Sequence, residues 1–169
     1  MEMNFCRRCG APLKNIRNHI YSCENGHTIF ANASPAVGVF FVTEQNRVLL
    51  SVRGIEPHKG RLDAFGGFVD GTEKLEKTIV RELAEELGLK PGDYTPAVYL
   101  TSGTGRYPYA GEEIPVLSCL YWSRLLVDTP TPKDDVADIA SYPLSDVPLE
   151  ELHDKDIIAG IKQLQKILL

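Results

Sequence analysis

Residues 66–89 read GGFVDGTEKLEKTIVRELAEELGL, and the rest of the chain is organised around them. Asp70-Gly71 is a turn dipeptide, and Thr72 has the side chain of a helix N-cap. Residues 74–87 contain no helix breaker. Leu75, Ile79, Leu83 and Leu87 recur every four residues, the period of a buried helix face. Gly88 falls where a helix end calls for a left-handed residue.

Glu82, Glu85 and Glu86 stand at i, i+3 and i+4 of this helix, so their carboxylates share one patch beside the apolar stripe. Like charges at that spacing weaken a helix by roughly 0.2–0.5 kcal/mol per pair. A cation among them removes the penalty. Oxygen-only donors suit Mg²⁺ or Mn²⁺ rather than zinc. A solvated acidic face is the plain alternative for such a string taken alone.

The full spacing is more specific. Gly67, Glu73, Arg81-Glu82-Leu83, Glu85-Glu86 and Gly88-Leu89 match every fixed position of G-x5-E-x7-R-E-U-x-E-E-x-G-U, with U apolar. The stretch resembles the Nudix box. The resemblance implies an α/β fold, an α/β/α sandwich around a mixed sheet. It also implies Mg²⁺- or Mn²⁺-dependent hydrolysis of a pyrophosphate bond in a nucleoside diphosphate linked to another moiety. By the same resemblance Glu82, Glu85 and Glu86 hold the metal, with the Gly67 carbonyl as a further oxygen. Glu85 is ligand or base, Arg81 orients a catalytic carboxylate, and Glu73 is structural.

The 169 residues suit one domain with an appendage, and 43% hydrophobic content suffices for a packed core. No run approaches the roughly 18 apolar residues of a membrane span, and the first ten residues lack the apolar core of a secretory signal. A cytoplasmic protein is expected. The net charge of −5 argues against a broad nucleic-acid surface.

Near the N-terminus, Cys6-x2-Cys9-Gly10 is a metal-knuckle spacing, followed by Cys23 and His27. Gly26 stands where a second C-x2-C would place cysteine, and His19 is a rival fourth ligand. The segment resembles the zinc ribbon that precedes the Nudix domain of NADH-pyrophosphatase-like proteins. Structural Zn²⁺ on Cys6, Cys9, Cys23 and His27 is the expectation. The division is residues 1–33 as ribbon and 34–169 as Nudix domain. Relatives with this appendage often dimerise, so a homodimer is expected.

Strands are read at residues 36–43, 47–52, 97–102, 116–127 and 135–142, with a last helix over 154–168. Arg53 ends a strand, where a cation can meet substrate phosphate. Residues 103–115, GTGRYPYAGEEIP, read as a loop with glycines for mobility, the plain alternative being an ordinary surface hairpin loop. In it Arg106 can pair with phosphate, Tyr107 or Tyr109 can stack on a ring, and Glu112 or Glu113 can reach the metal cluster. Before the box, RLDAFGG departs from the family's G-x-W-x-x-P-G-G: Leu62 replaces the aromatic and Phe65 the proline. These departures are expected at the lip of the site. The S-Q-P-W-P-F-P-x-S motif of NADH-specific members is absent. That weakens the NADH assignment among the three substrate types, NADH, ADP-ribose and FAD, and leaves ADP-ribose and FAD open. A house-cleaning triphosphatase and a non-catalytic nucleotide sensor are the competing readings.

Overall fold

The computed structural model describes residues 3–169. The chain forms two units. The smaller comprises the chain up to Ser34 with Arg106–Val116, and the larger comprises Pro35–Gly105 with Leu117–Leu169.

In the smaller unit, β1 (Leu13–Arg17), β2 (Ile20–Cys23) and β3 (Thr28–Phe30) form an antiparallel sheet in that order. Its core is slight: buried Cys6, Cys23 and Ile29, with Met3, Ala11 and Leu13 packed against them. Gly10 closes one knuckle with its N–H on the Cys6 carbonyl, and Gly26 closes the other on Cys23. Both glycines have positive φ, 72° and 76°. A cysteine at position 26 would be strained there.

A mixed sheet is built from β4 (Ser34–Val42), β5 (Arg47–Arg53), β6 (Leu62–Asp63), β7 (Val98–Tyr109), β8 (Glu112–Arg124) and β9 (Val136–Pro143), and the larger unit holds all of it except the far end of the β7–β8 hairpin, Arg106–Val116, and Ser34. The order is β6-β5-β4-β8-β7, with β9 also paired to β5. Helix α1 (Leu75–Leu87) covers one face and α2 (Lys155–Leu168) the other. The run AVGVFFV is apolar throughout because β4 is buried on both sides. Val37, Val39 and Phe41 pack with Ile79, Leu83 and Leu87 of α1. Phe40 and Val42 pack with Ile157, Ile161 and Leu164 of α2. Gly160 lets α2 sit close, since a Cβ there would stand 2.7 Å from the Phe40 ring.

The segment between β6 and α1 is laced to β4. Phe65 exchanges both backbone bonds with Val39 (2.7 and 3.1 Å), Val37 N–H donates to the Gly67 carbonyl (2.9 Å), and Val69 N–H donates to the Pro35 carbonyl (3.0 Å). This lacing sets the glycine pair against α1. Leu62 and Phe65 are therefore core residues, 3% and 0% exposed, and do not form a lip. Phe65 packs on Phe41, ring centroids 5.9 Å apart.

Two local expectations are corrected. Helix α1 is capped by Lys74, without a side-chain bond, and not by Thr72. Residues 103–115 are no loop: β7 and β8 run through them and turn at Ala110-Gly111, both at positive φ. Gly88 ends α1 left-handed as expected, at φ 67°, with its N–H on the Ala84 carbonyl.

Candidate active site

One turn of α1 presents three carboxylates at graded depth. The side chain of Glu85 is 47% exposed and that of Glu82 13%. Glu86 as a residue is only 7% exposed. Each has a protein partner. Arg81 Nη1 donates to Glu82 Oε1 (2.7 Å) and to Glu85 Oε2 (3.0 Å). Gly66 N–H donates to Glu86 Oε2 at 2.9 Å. Arg81 Nη2 reaches the Phe68 carbonyl (2.9 Å) and Glu73 Oε2 (3.2 Å), so the guanidinium ties the glycine turn to the helix. Glu73 also accepts from the Thr78 hydroxyl at 2.9 Å.

Gly66 is a steric necessity, and Gly67 leaves room for the Glu82 carboxylate. A Cβ on Gly66, at φ 140°, would strike the Val37 carbonyl oxygen. One on Gly67 would come within 2.7 Å of Glu82 Oε1. The Gly67 carbonyl accepts from Val37 and keeps a second lone pair for another partner.

Burial pushes the Glu86 carboxyl up to about 9, helped by the charges of Glu82, Asp63 and Asp135 and opposed by the Gly66 N–H. Burial also raises Glu82, against the pull of Arg81. The Thr78 hydroxyl bond, with Arg81, holds Glu73 below the usual carboxylate range despite some desolvation. Burial pulls the Arg81 guanidinium down, but its bonds to Glu73, Glu82 and Glu85 outweigh that and raise it. A buried acid kept neutral only by its surroundings ionises when a cation arrives. The donors are all oxygens, which fits a hard divalent ion.

Arg53 Nη1 is on Asp63 Oδ2 (2.9 Å) and its Nε on the Pro57 carbonyl (2.8 Å). Arg106, Tyr107, Tyr109, Glu112 and Glu113 belong to the smaller unit, while the glutamates of α1 belong to the larger. The acids outside the box whose charge bears on Glu86 are Asp63 and Asp135. Sequence reading missed both, since neither has a local signature.

In the smaller unit the ligand atoms of Cys6, Cys9, Cys23 and His27 all lie within 4.8 Å of one another. Cys9 and Cys23 Sγ are 3.8 Å apart, and His27 Nδ1 is 3.6 Å from Cys6 Sγ and 3.7 Å from Cys23 Sγ. A tetrahedral ion with bonds of ~2.3 Å to sulfur and ~2.0 Å to nitrogen has edges of about 3.5–3.8 Å. His19 lies outside the group, its ring 5.9 Å from Phe30. A bond from the Asn25 amide is the first cause that brings Cys9 down to about 6, and burial raises Cys23.

The NUDIX domain model matches residues 33–162. The human mitochondrial NAD(P)H pyrophosphatase NUDT13 is 37% identical over 87 residues, 51% of this chain and 24% of that protein. An ADP-ribose pyrophosphatase of Methanocaldococcus jannaschii is 45% identical over 58 residues, 34% of each chain. The chain thus spans only a quarter to a third of these curated relatives. The NUDIX domain of Shewanella oneidensis NrtR, solved with ADP ribose, superposes with a TM-score of 0.63 at 25% identity, covering 83% of this chain and 91% of that one. With the match spanning residues 33–162, and the box glutamates Glu82, Glu85 and Glu86 on one turn of α1, the chain belongs to the Nudix family.

Proposed function

We propose that this protein hydrolyses the diphosphate bond of a nucleotide joined to a second moiety, of the ADP-ribose, NADH or FAD type. The observation that carries the reading is Glu86: a carboxyl buried on α1, held by the Gly66 N–H and flanked by Glu82 and Glu85. The similarity to proteins named for NAD(P)H and ADP-ribose hydrolysis supports the substrate class.

Glu82, Glu85 and Glu86, with the second lone pair of the Gly67 carbonyl, hold Mg²⁺ or Mn²⁺ in this reading. When bound, such ions neutralise the diphosphate and polarise its phosphorus–oxygen bonds. The chain's own groups do the rest. Gly66 holds Glu86 through its N–H, and Arg81 orients the carboxylates of Glu82 and Glu85. Glu85, the most exposed of the three, is the group from which a proton taken from water can pass to bulk. In the smaller unit Cys6, Cys9, Cys23 and His27 hold structural Zn²⁺, which replaces the core that unit lacks.

The test is a screen of ADP-ribose, NADH, FAD, diadenosine polyphosphates and deoxynucleoside triphosphates with Mg²⁺. Released nucleoside monophosphate from a dinucleotide or sugar-linked substrate is expected. Pyrophosphate release from triphosphates alone would contradict the reading.

A further inference from the structure

Asp63 sits at the end of β6, immediately before the segment that carries the glycine pair, and both its oxygens are used. Oδ1 accepts the N–H of Ala64 at 2.7 Å. Oδ2 meets Arg53 Nη1 at 2.9 Å and His153 Nε2 at 3.0 Å. The three side chains are nearly buried, at 15%, 14% and 12% exposure for Arg53, Asp63 and His153. They come from three separate places in the chain: the end of β5, the end of β6, and the residue after the short 3-10 turn Leu149–Glu151 and Leu152. That last segment is itself fastened to β6, for His153 N–H donates to the Leu62 carbonyl at 3.1 Å and Arg61 Nη2 to the Leu152 carbonyl at 2.8 Å.

The protonation pattern is consistent with a fixed clamp. Burial keeps His153 below the usual histidine range, against the pull of Asp63. Neutral His153 satisfies Asp63 by donating from Nε2. Nδ1, buried and without a hydrogen-bond partner, then carries no proton, so no donor is stranded. A nearly buried carboxylate with one guanidinium, one imidazole donor and one backbone N–H has little freedom to reorient. Ala64, whose N–H it holds, is two residues from Gly66, whose N–H holds Glu86.

We propose that Asp63, gripped by Arg53 and His153, is a positioning residue that aims the Gly66 N–H at Glu86. This rests on the hydrolase reading above for its kinetic consequence, but not for its structural one. The clamp fixes the start of the 64–67 segment, and the lacing to β4 fixes its middle. Gly66 is thus held from both sides. Neither Asp63 nor His153 touches substrate in this account.

The experiment uses the full chain and four variants: Asp63→Ala, Asp63→Asn, His153→Leu and His153→Gln. Asparagine keeps an acceptor for Ala64, and glutamine keeps a donor for Asp63. Two quantities are read: amide hydrogen exchange at Gly66, with Leu50 and Leu164 as core references, and the kcat and KM of the best substrate. In Asp63→Ala and His153→Leu, Gly66 exchange rises and kcat falls, each roughly tenfold or more, with KM within twofold and the core amides unmoved. The Asn and Gln variants recover most of both. Unchanged Gly66 exchange in Asp63→Ala would overturn the proposal. So would equal acceleration at Leu50 and Leu164, which would mark general loosening. A wild-type protein that cleaves nothing would count against the hydrolase reading alone, and Gly66 exchange would still decide the clamp.

Discussion

Gly66 donates its backbone N–H to Glu86 Oε2 at 2.9 Å, joining positions twenty residues apart in the chain. The bond reaches a carboxyl that the rest of the protein disfavours as an anion. It requires that Gly66 stand at φ 140°, with no side chain between it and the Val37 carbonyl. Gly66→Ala meets a steric block and a disfavoured φ together, and should cost more than ~2 kcal/mol of stability. Urea unfolding of the two proteins measures this. A loss under ~0.5 kcal/mol would mean that the turn is not held as described.

Glu86 also predicts a pH dependence. Its folded value of about 9 lies above its ordinary 4.5. A raised value adds stability that is fully present below pH 4.5 and is lost as pH rises towards 9. In magnesium-free buffer the wild type should therefore lose stability across that window. Glu86→Gln, which keeps the shape of the protonated acid, should lose less. Urea midpoints at several pH values check it, and parallel slopes for the two proteins would contradict it. Near pH 7, Mg²⁺ uptake should release a proton, which calorimetry in buffers of different ionisation enthalpy detects.

Arg81 bridges Glu73, Glu82, Glu85 and the Phe68 carbonyl through a planar fork. Lysine offers a point charge in place of that fork. Both Arg81→Lys and Arg81→Ala should lower kcat, by about 10–100-fold. A lysine variant with wild-type kcat would show that charge alone suffices.

The Cys6, Cys9, Cys23 and His27 cluster predicts about one zinc per chain by elemental analysis. Cys9→Ser should lose the metal and loosen β1–β3, seen as faster amide exchange there. Full protection of those strands in a metal-free sample would contradict it.

Much of this was legible because it is local. The four-residue recurrence of Leu75, Ile79, Leu83 and Leu87 marks α1, and the unbroken apolar run of β4 marks a strand buried on both faces. Gly88 announces its left-handed cap. What was missed depends on distant contacts. Thr72 has the chemistry of a cap, but helical geometry begins only at Leu75, after Glu73 has turned to Thr78 and Arg81. Residues 103–115 carry the glycines of a loop, yet pairing in the β7–β8 hairpin orders them. Spacing puts Glu86 beside the apolar stripe without saying how deep, because depth is set by residues 65–69 lying along β4. Asp63 and His153 meet across β6 and a 3-10 turn, and no local pattern links them.

The central claim is that the buried carboxylate of Glu86 is indispensable to diphosphate cleavage and not to the fold. The most direct measurement is nucleoside monophosphate release from ADP-ribose with Mg²⁺, run side by side on wild type and Glu86→Gln at matched circular dichroism. Turnover by the wild type and none by the folded variant is the predicted result. Equal turnover by both would contradict the account.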